Sequence, residues 1–255
     1  MTGAEQTQSC WTLTQRPTFS SLRDNLSTDV CVVGAGIAGL TTAYLLLRSG
    51  KRVIVLDKDE IGAGETSRST AHITNALDDR YFNLEKIHGT RGAQLAAESH
   101  TAAIDLIEAI AETESIACDF IRVNGYLFAA PDSPSDILER ELEACQRAGL
   151  TQVHLAEQAP VQLLPGPCLL FPRQAQFHPI KYLAGLAAAI VRQGGKIFTY
   201  SHVTATENNA KNNAPDGTER VTVSTASGGK VVASSLVVAT NTPVNDVVVM
   251  HTKQA

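Results

Sequence analysis

Three glycines and one acid carry the most specific chemical signal in this chain. The stretch reads Asp29-Val30-Cys31-Val32-Val33-Gly34-Ala35-Gly36-Ile37-Ala38-Gly39-Leu40. A helix-like run follows it, and then Lys51-Arg52-Val53-Ile54-Val55-Leu56-Asp57. Asp57 lies 23 residues beyond Gly34, close to the separation expected between a glycine turn and the acid of a dinucleotide site. Gly34 permits a tight turn, Gly36 leaves room for a pyrophosphate beside the backbone, and Gly39 lets a helix approach the strand. The helix N-terminus offers unpaired amides and its positive end to phosphates. Asp57 can accept hydrogen bonds from both ribose hydroxyls. Its charge repels a 2′-phosphate, which argues against NADP.

The elements that must position these residues are legible around them. Residues 30–33 are apolar or β-branched without a break and predict a strand. Leu40 to Arg48 predict a helix that Gly50 ends. Val53 to Leu56 predict a second strand. Both strands are apolar on both faces, as in a parallel sheet covered by helices. The loop Gly62-Ala63-Gly64-Glu65-Thr66-Ser67-Arg68-Ser69-Thr70-Ala71-His72 is rich in glycine and small hydroxylated residues. Such a loop can approach a phosphate or a cofactor ring closely.

A long helix is predicted from about Tyr81 to Glu112, bent near Gly89 and Gly92, with Asp78, Asp79 and Arg80 placed to cap it. Residues 120–130 read as a hairpin or a bulged strand. Ser133 and Pro134 suit the start of a charged helix running through Ala148. Pro160, Pro165, Pro167 and Pro172 mark connecting loops. Pro179 opens a helix to about Arg192, closed by Gly194-Gly195. Strands follow at 196–200, 220–225 and 231–240, with a polar hairpin loop over 207–219. Residues 1–27 are polar and predict an arm lying over the domain, with Trp11 as a candidate anchor.

Composition narrows the classes. The chain has 255 residues and a formal charge of -5, which does not describe a nucleic-acid surface. No window approaches about 18 uninterrupted apolar residues, so no membrane span is expected. The opening Met1 to Gln6 lacks the basic region and apolar core of a signal peptide. The five cysteines, at 10, 31, 118, 145 and 168, form no close pair of metal or redox type, so no metal site is assigned. Cys31 reads as core packing. A reducing, cytoplasmic setting is the expectation.

Over residues 27–255 these motifs, with Lys196 to Thr206 and Val231 to Asn241, resemble the FAD-dependent oxidoreductase family of D-amino acid oxidase, glycine oxidase and sarcosine oxidase. The closest likeness is to bacterial and fungal members in which the flavin module precedes a Rieske iron-sulfur domain. The resemblance implies an α/β fold: a Rossmann-like FAD-binding domain with an interleaved, incomplete α+β substrate domain. It implies an arm over 1–26, FAD-binding parts over 27–115 and 173–244, a substrate-domain segment over 116–172, and the start of another over 245–255. The family's later substrate-domain strands and a Rieske cluster's Cys-His pairs do not follow. The expectation is therefore the N-terminal portion of a longer enzyme, or a truncated product.

Residue by residue, the resemblance implies that Gly34, Gly36, Ile37, Ala38 and Gly39 form the pyrophosphate turn. Asp57 is the ribose acid, with Lys58 beside it. Gly64, Thr66, Ser67, Arg68, Thr70, Ala71 and His72 run along the pyrophosphate toward the isoalloxazine. Val203 meets adenine through its backbone. Ala239, Thr240 and Asn241 end a strand beside the cofactor, with Asn241 in place of the family's usual glycine. His72 reads as a packing histidine, a flavin contact or a covalent attachment point. Trp11 reads as an anchor or as a flavin shield.

The implied reaction is oxidation of a small-molecule amine or amino-acid-like substrate by hydride transfer to flavin N5, with oxygen or a redox partner as electron acceptor. No catalytic side chain is assigned. Two other readings stay open. One is a non-catalytic FAD- or nucleotide-binding fragment. The other is an NAD-dependent dehydrogenase, for which no catalytic His, Lys or Tyr constellation is evident.

Overall fold

The computed structural model describes residues 9–160, 166–209 and 220–241. The polar loop expected over 207–219 lies mostly outside the described residues, as do Pro165 and the segment 245–255. The chain divides into two compact units. Unit 1 comprises residues 1–69, 114–118 and 179–255, and unit 2 comprises 70–113 and 119–178.

Unit 1 is built on a six-stranded sheet in the order β7-β2-β1-β10-β9-β8. These strands are β1 (Asn25–Val33), β2 (Val53–Leu56), β7 (Lys196–Phe198), β8 (Val203–Asn209), β9 (Arg220–Thr225) and β10 (Lys230–Val238). Strands β7, β2, β1 and β10 run parallel, β9 pairs antiparallel with β10, and β8 pairs antiparallel with β9. This is the expected mixed α/β architecture with a Rossmann-type parallel sheet. Helices α1 (Ile37–Arg48) and α4 (Pro179–Arg192) pack on each other, α1 also against β1 and β2, and α4 against β7.

Strand β1 begins five residues earlier than the apolar run predicts, at Asn25 rather than Val30. Its polar start pairs with β10, Asn25 opposite Lys230 through Thr28 opposite Ala233, so pairing extends it where hydrophobicity gives no signal. Cys31, Val33, Ile54 and Leu56 share one buried cluster with Leu22, Val221, Val223, Val231 and Ala233. Alternation sends Val30, Val32, Val53 and Val55 to the other face, and these too are buried. Burial in this packing pushes the Cys31 thiol up to about 12, which suits an inert core residue.

Unit 2 holds β3 (His72–Ile73), α2 (Tyr81–Thr113), β4 (Ile121–Phe128), α3 (Ile137–Arg147), β5 (His154–Ala156) and β6 (Cys168–Gln176). Strand β6 pairs antiparallel with β3, β4 and β5. Residues 70–113, expected with the first FAD-binding part, pack in unit 2, because Ala93 and Ala97 of α2 join Ala144 and Cys145 of α3, and Leu169 and Phe171 of β6, in one core.

Helix α2 is kinked at Gly89, whose φ of 71° breaks the helical geometry. Pro172 lies inside β6, not in a connecting loop. From Val123 opposite Gln174 to Gly125 opposite Phe171, β6 carries one residue more than β4. Pro172 and Arg173 fall in that bulge, and Arg173 has a φ of 58°. A bulge is where a strand tolerates a residue that cannot donate to the ladder.

Helix α3 starts at Ile137, later than Ser133 and Pro134 suggest. Ser133 and Pro134 instead sit in turns closed by Ser133 N–H to Ala130 O (2.9 Å) and Ile137 N–H to Pro134 O (3.1 Å). The start of α2 is capped from a distance. Glu141 of α3 is 1% exposed. Its carboxylate accepts from Tyr81 N–H (3.0 Å) and Phe82 N–H (3.3 Å), so the first amides of α2 are satisfied by another helix rather than by Asp78 or Asp79.

Burial pushes the Glu141 carboxyl above its ordinary 4.5, and the two amides offset part of that rise. Glu141→Ala strands both amides and is expected to cost about 3 kcal/mol of stability, read by urea unfolding. A raised carboxyl holds its proton more tightly in the native state. Its contribution is complete below pH 4.5 and is lost as pH rises through the raised value. Glu141→Gln should flatten that slope in a pH series of unfolding curves.

Candidate functional site

The site is assembled where β1, β2 and β10 end side by side. The β1–α1 turn begins at Gly34, with φ +113°, a conformation that favours glycine. Its N–H donates to Leu56 O (2.7 Å), the last residue of β2, while Ala239 N–H donates to Val33 O (2.8 Å) from the other side. A Cβ on Gly34 would stand 2.6 Å from Ala239 O. One on Gly39 would stand 1.8 Å from Gly34 O. The backbone of α1 thus lies on the carbonyl of the turn that launches it.

Asp57 pins this turn from β2. Its Oδ2 accepts from Ala35 N–H (2.5 Å) and its Oδ1 from Asp59 N–H (2.9 Å). Its own N–H donates to Phe198 O (3.0 Å), and its carbonyl accepts from Ser201 N–H (2.7 Å). An ionised carboxylate offers about four lone-pair sites, so each oxygen retains one for an added hydroxyl. Burial raises the Asp57 carboxyl above its ordinary 3.8, and the Asp59 and Ala35 amides offset part of that rise.

The loop after β2 closes over the start of α1. Gly62 N–H donates to Ala35 O (3.1 Å), and the Thr66 hydroxyl accepts from Ile37 N–H (3.2 Å). A Cβ on Gly36 would come within 3.2 Å of that hydroxyl. Gly36 is the N-cap of α1 and makes no side-chain cap hydrogen bond, and the first turn holds no acid. The positive end of α1 is therefore not neutralised by a carboxylate of its own.

Ser67 is buried and folds the loop on itself, donating to Gly64 O (2.9 Å) and Ala63 O (3.2 Å). Arg68 and Lys58 are exposed and pair with Glu65 and Asp59. Val203 is buried in the sheet core and pairs with Thr225. Thr240 follows Ala239 with its hydroxyl oxygen buried and without a hydrogen-bond partner among the described residues. Asn241 is exposed.

The structure thus brings Gly34, Gly36, Ile37, Gly39, Asp57, Thr66 and Ala239 together in unit 1, with Ala38 exposed on the first turn of α1. Thr70, Ala71 and His72 belong to unit 2. There Ala71 is buried with a φ of 63°, and His72 is exposed in β3, opposite Gln176. A cavity of about 350 Å³ in unit 1 is lined by Glu114, Lys181, Gly185 and Arg192 among others, and by none of the expected cofactor residues. It is separate from the nucleotide cradle.

Sequence reasoning passed over Ala35 as a donor to Asp57, although its place between Gly34 and Gly36 points its amide into the turn. It also passed over Glu60, which pairs with Arg16 (3.1 Å) from 44 residues away. No local pattern announces such a pair.

A glycine cradle, a helix start free of acid and a strand-end carboxylate with lone pairs to spare are the parts of a dinucleotide site. The profile of the DAO family, described as FAD dependent oxidoreductase, matches residues 29–254. The chain belongs to this family.

Among its relatives, the chain is 33% identical over 195 residues to the "Putative Rieske 2Fe-2S iron-sulfur protein YhfW" of Bacillus subtilis, covering 76% of this chain and 38% of that protein. It is 28% identical over 233 residues to gamma-glutamylputrescine oxidoreductase of Escherichia coli, covering 89% of this chain and 52% of that protein. The chain thus spans about half the length of these relatives, or less. Its fold matches glycine oxidase from Geobacillus kaustophilus with a TM-score of 0.67 at 19% identity, over 85% of this chain and 56% of that one. It matches L-proline dehydrogenase from P. horikoshii at 0.68 and 19%, over 91% and 57%.

The family's cofactor is FAD, and the cradle fits its nucleotide half. An anion suits the open end of α1, hydroxyls suit the free lone pairs of Asp57, and the buried Thr240 hydroxyl has hydrogen-bonding capacity to offer.

The tightness of the turn is testable. In Gly39→Ala the new methyl meets a backbone oxygen that no side-chain rotation can move, so a loss of more than about 3 kcal/mol is expected. Thr66→Val removes only the acceptor for Ile37 N–H and should cost about 1 kcal/mol. Thermal or urea unfolding of the two variants checks both the values and their order.

Proposed function

We propose that this chain carries the FAD-binding core of an oxidoreductase acting on a small amine or amino-acid-like substrate. The observation that carries the reading is the Gly34–Gly39 turn locked to Asp57 within a family match covering residues 29–254. In this reading unit 1 holds the cofactor, and unit 2 contributes the first part of the substrate side. The gamma-glutamylputrescine oxidoreductase relative, whose name gives an amine-bearing compound, supports the substrate class.

When bound, FAD would supply the two-electron acceptor for oxidation at the carbon next to the substrate nitrogen. Oxygen or a redox protein would be the final acceptor. The residues of this chain bind and orient. The amides at the start of α1 face the pyrophosphate charge. Asp57 takes the ribose hydroxyls on its free lone pairs while Ala35 and Asp59 keep its carboxylate oriented. Thr66 and the Gly62–Ser69 loop border the start of α1. Val203 lies at the adenine end and Ala239 with Thr240 beside the turn. No side chain is assigned as an acid or base, since orientation and the flavin's own chemistry suffice.

The purified chain, given FAD, should show visible bands near ~370 and ~450 nm. Their absence after saturation and gel filtration would overturn the cofactor assignment. Anaerobic bleaching by members of a panel of amines and amino acids would support turnover, whereas stable bands with every compound would reduce the reading to binding alone.

FAD affinity should also depend on pH with a defined sign. Protonated Asp57 loses acceptor capacity, so affinity should fall as pH drops toward and through the Asp57 value, which burial holds above 3.8. Asp57→Asn should bind at least about tenfold more weakly at neutral pH and lose this dependence. Fluorescence titration of FAD from neutral to mildly acidic pH would show it.

A further inference from the structure

We infer that the N-terminal arm is a clasp on the cofactor loop, with Trp11 and Arg16 as positioning residues that slow the release of FAD. The inference rests on the FAD reading above and concerns residues that neither the family match, which starts at residue 29, nor the glycine motif includes.

The arm is anchored at its inner end. Leu22 is fully buried, its N–H donates to Ser201 Oγ (2.9 Å), and its carbonyl accepts from Ser227 Oγ (2.6 Å). Phe19 O accepts from Thr199 Oγ1 (2.7 Å). Ser201 and Thr199 lie on the segment that also holds Asp57 through Phe198 O and Ser201 N–H. From this anchor the arm reaches both ends of the loop that follows β2. At the near end, Arg16 pairs with Glu60 (3.1 Å), and Tyr200 OH donates to the other oxygen of Glu60 (3.0 Å). At the far end, the Trp11 indole N–H donates to Ser69 O (2.8 Å). Trp11 is itself held in a 3-10 turn over Cys10–Leu13 that Ser9 caps.

Between these two ties lies Thr66, the loop residue that meets the first amide of α1. The ties to Glu60 and Ser69 therefore fix the span that carries Thr66 to the phosphate end. The Arg16 side chain is 13% exposed and that of Glu60 43%, so the pair is sheltered on the arginine side and open to solvent on the glutamate side. Opening the loop requires breaking this ion pair and an indole hydrogen bond together. That adds to the barrier for cofactor release without adding a contact to the cofactor.

Trp11 is the single tryptophan of the chain, so its fluorescence reports on the arm alone. In cofactor-free protein, Arg16→Gln should raise the acrylamide quenching constant of Trp11 about twofold, as a loosened segment exposes its side chain. In FAD-loaded protein, Trp11→Phe and Arg16→Gln should each speed FAD dissociation about fivefold, the equivalent of one lost hydrogen bond. Their cofactor-free urea midpoints should match the parent. Unchanged dissociation in both variants, or faster dissociation only in step with a lowered urea midpoint, would overturn the clasp. If the parent chain takes up no FAD, the cofactor reading fails, and the quenching arm then decides the clasp alone: unchanged Trp11 accessibility in Arg16→Gln would overturn it.

Discussion

The 1.8 Å that would separate a Cβ on Gly39 from the carbonyl of Gly34 is the constraint from which the geometry of unit 1 follows. With no side chain at Gly39, the first turn of α1 can lie directly on the loop that precedes it. That contact fixes the direction of the helix and therefore where its amides point. It also places Ala35 under the carboxylate of Asp57, and the end of β2 beside the end of β1. Gly34 meets the same limit from the other side, since Ala239 O would stand 2.6 Å from its Cβ. Three strand ends thus converge on a turn that only glycines can make. The positive end of a helix faces the resulting space, at the junction where β1 connects to one side and β10 lies on the other.

Unit 2 solves a similar problem by a different route. The first amides of α2 also need acceptors, and they take them from Glu141, which is buried on α3. A buried carboxylate is costly unless hydrogen-bonded. Two amides and the Cys145 thiol (3.8 Å) surround this one. The contact ties two helices that adjoin in the core of the unit. It also explains how the kinked α2 keeps a fixed start despite the break at Gly89.

How far the sequence discloses this arrangement depends on the range of the physics involved. The glycine turn, the α1 and β2 elements and the Asp57 spacing are local, and their residue types are restrictive, so they can be read directly. The break at Gly89 and the opening of α4 at Pro179 are legible for the same reason. What escapes is held by distant partners. The polar start of β1 is a strand because β10 lies beside it. The seat of Pro172 exists because β6 has one residue more than β4. Glu141 caps a helix 60 residues away. Arg16 pairs with Glu60 across 44 residues, and Trp11 with Ser69 across 58. His72 follows the loop in sequence, yet its backbone pairs with Gln176 in a separate sheet, which loop composition alone does not announce.

The two buried acids also show why only one of them suits a ligand. Asp57 and Glu141 both have carboxyls raised by burial, and both accept backbone amides. Glu141 is 1% exposed and is approached on its oxygens by Tyr81, Phe82 and Cys145, so its hydrogen-bonding capacity is spent inside the unit. Asp57 sits at a strand end, half-buried, with one amide on each oxygen. The amides orient it and offset part of the cost of its charge. Each oxygen keeps lone-pair capacity that an added hydroxyl can fill. The difference is one of position rather than residue type. A carboxylate closed within a core staples elements together, whereas this one, at the carboxyl end of a parallel strand, keeps acceptor capacity on each oxygen.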